Sequence, residues 1–345
     1  MIPIQNIYYM LSYAFQILNE QGYKNIATEQ FHNTAELMAA ILEKGIAIQL
    51  KRGLGKEYIP QTEALSSLRG KIDIAESIKT QSMLRKQLIC TYDEFSVNSI
   101  MNQIIKSTVE LLLRSNISKQ RKKNLRKLMV YFSEVDFIDS YTVNWNVQYN
   151  RNNQTYRMLI SICYLVVKGL LQTQSNGHTK LMDFLDEQRM CRLYEKFILE
   201  YYRKEFKNQI TANASQIPWQ LDNEENSMLS VMQSDIMLQS GEKVLIIDAK
   251  YYEHSTQVQF DKHTLHSGNL YQIFTYVKNK EYELREKDHT VSGMLLYAKT
   301  DEEIYPNNVY QMSGNQIAVR TLDLNLPFDE IASQLNTIAK THFDL

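Results

Sequence analysis

The stretch VMQSDIMLQSGEKVLIIDAKYY, from Val231 to Tyr252, decides how the rest of the chain is read. Two strand-like runs, one ending near Asp235 and one spanning Val244 to Ala249, are joined by Gln239-Ser240-Gly241-Glu242, a turn-rich tetrapeptide that favours a β-hairpin. Val244, Leu245, Ile246 and Ile247 are apolar without a break, as in a strand covered on both faces, and the run ends in Asp248-Ala249-Lys250. Side chains alternate along a strand, so Asp248 and Lys250 share a face, with Cα atoms roughly 6 to 7 Å apart. That spacing leaves room for a phosphate.

A carboxylate at Asp235, brought beside Asp248 by the hairpin, would let the pair hold one hard divalent cation through oxygen donors. The Ala249 carbonyl is a further candidate ligand. Two acids and a lysine suit Mg²⁺, or Mn²⁺, better than zinc. Such an ion polarises a phosphodiester and lowers the pKa of a bound water, while Lys250 orients that water or steadies the transition state. The chemistry suggested is hydrolysis of a nucleic-acid backbone. On this stretch alone, a plain surface pair of Asp248 and Lys250 at a strand end competes evenly.

Asp235, then Asp248-Ala249-Lys250 after an apolar strand, resembles the PD-(D/E)xK nuclease signature, with Ser234 where the signature name has proline. The surrounding pattern agrees. A helix from Phe184 to Phe206, a strand near Gln209 to Leu221, the hairpin, a helix from Asn269 to Lys278 and a strand from Gly293 to Ala298 give the order αβββαβ of that nuclease core. Glu195, at the edge of the first helix's apolar stripe, is either a third carboxylate for the ion or a surface glutamate. Gln272 and Tyr276, one turn apart on one helix face, resemble the Q-x-x-x-Y motif of RecB-like nucleases. A zinc alternative built on His254, His263 and His266 matches none of the usual ligand spacings.

With 345 residues, 44% hydrophobic and 22% charged, the chain is expected to fold as two domains of α/β class. Net charge is −1, so nucleic-acid contact has to come from local patches or a partner. Three scattered cysteines, Cys90, Cys163 and Cys191, suit a reducing compartment, and the longest nearly apolar run, Met158 to Val167, is too short to cross a membrane. A cytoplasmic protein with no membrane contact is expected. No phosphate-binding P-loop, dinucleotide turn or nucleophile elbow is present.

The first 150 residues read as a mixed α+β domain, followed by a helical connector over 151–182 and the nuclease domain over 183–345. Helices are expected over Ile2 to Asn19 with Asn6 as N-cap, over Asn33 to Lys44, and over Ser96 to Arg114 behind Ser96 or Asn98. Short strands are expected at Ile46 to Lys51, Lys56 to Pro60, Gly70 to Ile74 and Gln87 to Tyr92. Arg52, Arg69 and Lys71 place cations beside glycines, where a loop comes close to a phosphate or an acidic partner, or is an ordinary solvated turn. The most basic helix carries Lys122, Lys123 and Arg126, candidates for a DNA backbone, though such runs are more often solvated faces.

Across the whole chain, Ile2-Pro3-Ile4-Gln5-Asn6-Ile7-Tyr8-Tyr9-Met10-Leu11 with Tyr13-Ala14, Leu68-Arg69-Gly70-Lys71-Ile72-Asp73, and Tyr92-Asp93-Glu94-Phe95 followed by Asn98 and Asn102 resemble the McrC family. That resemblance implies the nuclease subunit of a modification-dependent restriction system. Its first domain would engage a ring of McrB-like AAA+ GTPase, and its second would cut DNA, in all expectation methylated. The cationic loops at Arg52, Arg69 and Lys71 are the candidate partner contacts. A second class of function keeps the fold without the chemistry: an activator of the GTPase in which cleavage is incidental or lost.

Overall fold

The computed structural model describes residues 2–15, 18, 23, 26, 29, 31–139, 142–151, 153–175, 187–222, 228–252, 257–259, 262–299 and 305–345. In chain order the elements begin with α1 (Ile4–Ala14), α2 (Thr34–Arg52), β1 (Glu57–Leu65), β2 (Lys71–Asp73), α3 (Ile74–Lys79), β3 (Leu88–Ser96), α4 (Ile100–Arg114), α5 (Lys119–Met129) and α6 (Tyr156–Ser175). They continue with α7 (Glu187–Glu205), β4 (Thr211–Asn213), β5 (Gln216–Ile217), β6 (Met232–Gln233), β7 (Ile236–Ser240), β8 (Lys243–Lys250), β9 (Gln257–Gln259), β10 (Lys262–Thr264), α8 (Ser267–Glu283), β11 (Thr290–Ala298), β12 (Asn308–Met312), β13 (Asn315–Leu322) and α9 (Phe328–Phe343).

The chain divides into two compact units, one of Thr28–Phe184 and one of Met1–Ala27 with Leu185–Leu345. The division differs from the sequence boundaries at both ends of the first domain. Helix α6, in the stretch expected as a connector, lies within the first unit, and α1 belongs with the second. Asn6 shows why: it does not cap α1, whose N-cap is Pro3, but donates from Nδ2 to the carbonyls of Leu324 and Leu326, both at 2.8 Å. Tyr9 stacks on Phe328 with centroids 4.4 Å apart, and Tyr13 donates to Glu205 Oε1. The tyrosines of α1 therefore pack into a core, and their partners lie too far along the chain for periodicity to reveal.

In the first unit, β1-β3-β2 form an antiparallel sheet. The strand expected at Ile46 to Lys51 is helix instead. Asn33 caps α2 by accepting from the Glu36 amide, and Leu42, Gly45, Ile46 and Gln49 are buried at helical spacing, so one packed face overrides the β-branched alternation of Ile46 and Ile48. Ser99, not Ser96 or Asn98, caps α4; Asn98 donates instead to Asp136. Gly70 has φ +69°, and a Cβ there would sit 2.3 Å from the Thr91 carbonyl oxygen, so this glycine serves the close approach of β3.

The second unit holds a mixed six-stranded sheet, ordered β12-β13-β11-β8-β7-β4. Strand β8 runs antiparallel to β7 and parallel to β11, which places it in the middle. The hairpin turn is the two-residue loop Gly241-Glu242, with Gly241 at φ +57°, the conformation a type II′ turn needs at its first loop position. Val244 and Ile246 join Ile273, Tyr276 and Val277 of α8 in one core, while Leu245 and Ile247 point to the other face, the side on which α7 packs. Gly293 of β11 lets α8 come close, since a Cβ there would lie 2.8 Å from side-chain atoms of both Ile273 and Val277. The sequence order αβββαβ is present as α7, β4, β7, β8, α8 and β11, with the short β5–β6 and β9–β10 ladders inserted. Among the described residues, no helix is long and apolar enough to cross a membrane.

Candidate functional site

The C-terminal end of β8 carries charge into the sheet's interior. Asp248 is 1% exposed, a position where an ionised carboxylate is costly unless it is compensated. Its Oδ2 lies 2.9 Å from Lys250 Nζ in an ion pair, and no amide or hydroxyl donor among the described residues reaches either carboxylate oxygen. Asp235 does not end a strand as expected; it occupies the bend between β6 and β7, just before Ile236. From there its Oδ2 accepts the Ala249 amide at 2.9 Å, so the hairpin brings Asp235 across to Asp248-Ala249-Lys250. Ser234, at the proline position of the signature, is buried and donates to the Ser215 carbonyl through both N–H and Oγ–H.

The electrostatics record crowding of like charge. Burial first, then the negative charges of Asp248 and Glu195, push Asp235 up to about 8. Burial also raises Glu195, against the Cys191 hydrogen bond and the charge of Lys250. At Lys250 burial opposes the ammonium, but Asp248 outweighs it and holds the pKa above the ordinary lysine value. Three acids sharing one ammonium leave negative charge in excess.

The nuclease-type candidates thus come together. Glu195 reaches the cluster from α7, and a cleft of about 420 Å³ beside it is lined by Arg192, Lys196, Leu199, Ala214, Gln233, Ser234 and Asp235 as well. Gln272 Oε1 accepts from Lys250 Nζ at 3.3 Å, and Gln272 Nε2 donates to Tyr276 OH at 2.9 Å, so the two α8 residues brace the lysine. Four neighbours were not foreseen. Cys191 donates to Glu195 Oε1 at 3.0 Å, a contact its i, i+4 spacing could have signalled. Tyr297 lies opposite Lys250 in the β8–β11 register and accepts from Asn269, which in turn accepts from Tyr252; only strand pairing reveals that set.

A divalent cation fits this donor set. The fit rests on the buried carboxylate of Asp248, which faces a second carboxylate pushed toward its neutral form. Among the described residues no three His, Cys, Asp or Glu side chains already stand in ligating array, so the set amounts to two carboxylates with the Ala249 carbonyl beside them. Of the zinc alternative, His254 and the His263 side chain lie outside what is described, and His266 packs its ring 5.4 Å from Tyr252.

The other candidates belong to the first unit. Arg52 and Lys71 are exposed; Arg69 lies over the Tyr92 ring, 3.5 Å from its centroid, and faces Glu63. Lys123 and Arg126 are exposed on α5 and Lys122 is half-buried.

Comparison with known proteins places this geometry in context. A family model described as McrBC 5-methylcytosine restriction system component matches residues 5–298. The chain is 29% identical over 342 residues to the type IV methyl-directed restriction enzyme EcoKMcrBC of Escherichia coli (strain K12), covering 97% of this chain and 96% of that protein. Among solved structures, it is similar to a refined half-complex from a tetradecameric assembly of Thermococcus gammatolerans McrB AAA+ hexamers with bound McrC. That match has a TM-score of 0.49 at 17% identity and covers 97% of this chain and 76% of the other. A cryo-EM structure of the Thermococcus gammatolerans McrBC complex matches at TM-score 0.42 and 20% identity over 59% of each chain.

Proposed function

The chain belongs to the McrBC 5-methylcytosine restriction system component family, and from that premise we propose that it is the DNA-cutting subunit of such a system, a metal-dependent endonuclease of PD-(D/E)xK type that works with an AAA+ GTPase. The observation that carries the reading is Asp248, 1% exposed, paired with Lys250 and facing Asp235, with no amide or hydroxyl donor to it among the described residues. Asp235 and Asp248 would hold Mg²⁺, or Mn²⁺, with the Ala249 carbonyl. Bound there, the ion would polarise the scissile phosphodiester and lower the pKa of a water. Lys250, kept charged by Asp248 and aimed by Gln272, positions that water and meets the negative charge that develops on the phosphate. Glu195, raised by burial, holds a proton more readily than a surface glutamate and is placed to exchange it within the cleft. Tyr276 fixes the Gln272 amide, and through it the lysine.

Partner engagement falls to the first unit. Tyr58, Ile74, Ile78, Leu84 and Phe95 are exposed there, on β1, β3, α3 and the turn after it, large apolar side chains suited to a protein partner. Arg52, Arg69 and Lys71 are the candidate charged contacts, and unchanged GTPase stimulation after their neutralisation rejects them. The decisive assay combines the chain, the AAA+ partner, GTP, Mg²⁺ and methylated duplex DNA. Wild type cuts, and Asp248→Asn fails to cut while stimulating the GTPase as before. Cleavage by Asp248→Asn overturns the site, and a wild type that stimulates without cutting supports the activator alternative.

A further inference from the structure

The outward face of α5 is strongly basic. The helix carries Lys119, Arg121, Lys122, Lys123, Arg126 and Lys127 and no acidic residue. Arg121 alone turns inward, paired with Glu29, Glu36 and Glu43. Asn124 donates to Glu43, and Leu125 is fully buried, so positions 121, 124 and 125 fix which side faces the unit. Lys119, Lys123, Arg126 and Lys127 are left exposed, with Lys122 half-buried beside them. None of these five has an ion-pair partner among the described residues. Exposed Val130 and Tyr131 continue the helix end.

This arrangement works against the helix that bears it. Lys119 and Lys123, Lys122 and Arg126, and Lys123 and Lys127 are like charges at i, i+4, each destabilising, and Lys119 sits at the positive end of the helix dipole. A face that only needed solubility would interleave acids. A polyanion laid along the helix removes the repulsion, and the span from Lys119 to Lys127, about 12 Å at 1.5 Å per residue, runs past several phosphates of a duplex.

We propose that the exposed face of α5, formed by Lys119, Lys122, Lys123, Arg126 and Lys127, binds the phosphate backbone of duplex DNA without reading its sequence. This rests on the reading of DNA as substrate and adds a second, non-catalytic contact to it. The test is equilibrium binding of the full chain to an unmethylated labelled duplex in EDTA across a range of NaCl concentrations. The expected result is that the triple variant Lys123→Gln, Arg126→Gln, Lys127→Gln binds more weakly and that its plot of log affinity against log salt is shallower by about 2 to 3 units, close to one per lost contact. The charge-preserving pair Lys123→Arg, Lys127→Arg keeps the wild-type slope. Without DNA the triple variant melts no lower than wild type, and DNA raises its melting temperature less. An unchanged slope, or no binding by wild type at low salt, overturns the proposal. Because cleavage is not read, the two failures separate: a chain that binds with the expected slope yet never cuts fails only the nuclease reading, and one that cuts while the triple variant keeps its slope fails only this proposal.

Discussion

Arg121 and Lys250 each stand among three carboxylates, and the two clusters end in opposite states. Arg121, 15% exposed, reaches Glu29 at 2.6 Å, Glu43 at 2.9 Å and Glu36 at 3.4 Å with separate nitrogens of its guanidinium. Glu36 also accepts from the Ser118 amide and hydroxyl, and Glu43 from Asn124. Every acid there is met. Lys250 offers one ammonium, shared between Asp248 and Gln272; among the described residues no amide or hydroxyl meets Asp248, and Asp235 accepts one backbone amide. The difference is partly one of donor geometry, since a planar fork with five N–H groups can serve several carboxylates where a point charge cannot. It separates a finished structural network from a site whose charge is still in deficit.

Removing one member of each cluster should therefore have opposite effects, and this is the largest contrast expected. Asp248→Asn reduces cleavage to background yet melts, in chelator, no lower than wild type, because losing the Lys250 pair is offset by relief of the repulsion among Asp248, Asp235 and Glu195. Arg121→Ala removes the cation shared by three carboxylates, two of which keep other donors, and costs about 1–3 kcal/mol in denaturant unfolding. Loss of stability in Asp248→Asn comparable to that in Arg121→Ala breaks the distinction. Next in size is Lys250→Met, expected to lower kcat by about 10²–10³-fold if the ammonium stabilises developing charge. Gln272→Ala, which frees the lysine without removing it, is expected to cost about 10–100-fold. A Gln272→Ala effect as large as that of Lys250→Met would mean that Gln272 touches substrate.

The two clusters were not equally legible in the sequence. Asp248, Lys250, Gln272 and Tyr276 lie within one strand or one helix turn, where period alone sets who shares a face, and the apolar run Val244 to Ile247 announced a central strand. Asp235 was found by its spacing from Asp248, although its place before β7 rather than at a strand end depends on the short β5–β6 ladder, a pairing too brief to leave a pattern. Arg121 was hidden in a run of cations that reads as one solvated face; only the fold turns it inward. The docking of α1 onto the second unit escaped for a related reason, because Asn6 reads as a cap locally and finds its acceptors at Leu324 and Leu326. Local propensity loses wherever a tertiary partner is available.

The smallest effect follows from Asp235. Its carboxyl, ordinarily near 3.8, is pushed up to about 8 by burial and by the charges of Asp248 and Glu195. Between those values the folded chain keeps a proton that the unfolded chain releases, so the free energy of unfolding falls as pH rises through that window. In EDTA the melting temperature of wild type should decline from pH 5 to pH 8.5 relative to that of Asp235→Asn, by a few degrees. Mg²⁺ should remove the decline, because a cation held by Asp235 and Asp248 supplies the positive charge that the proton otherwise supplies. Parallel melting profiles for wild type and Asp235→Asn in EDTA would show that the Asp235 carboxylate is already compensated, and the contrast with the Arg121 cluster would then reduce to the Asp248 carboxylate and its single ammonium partner.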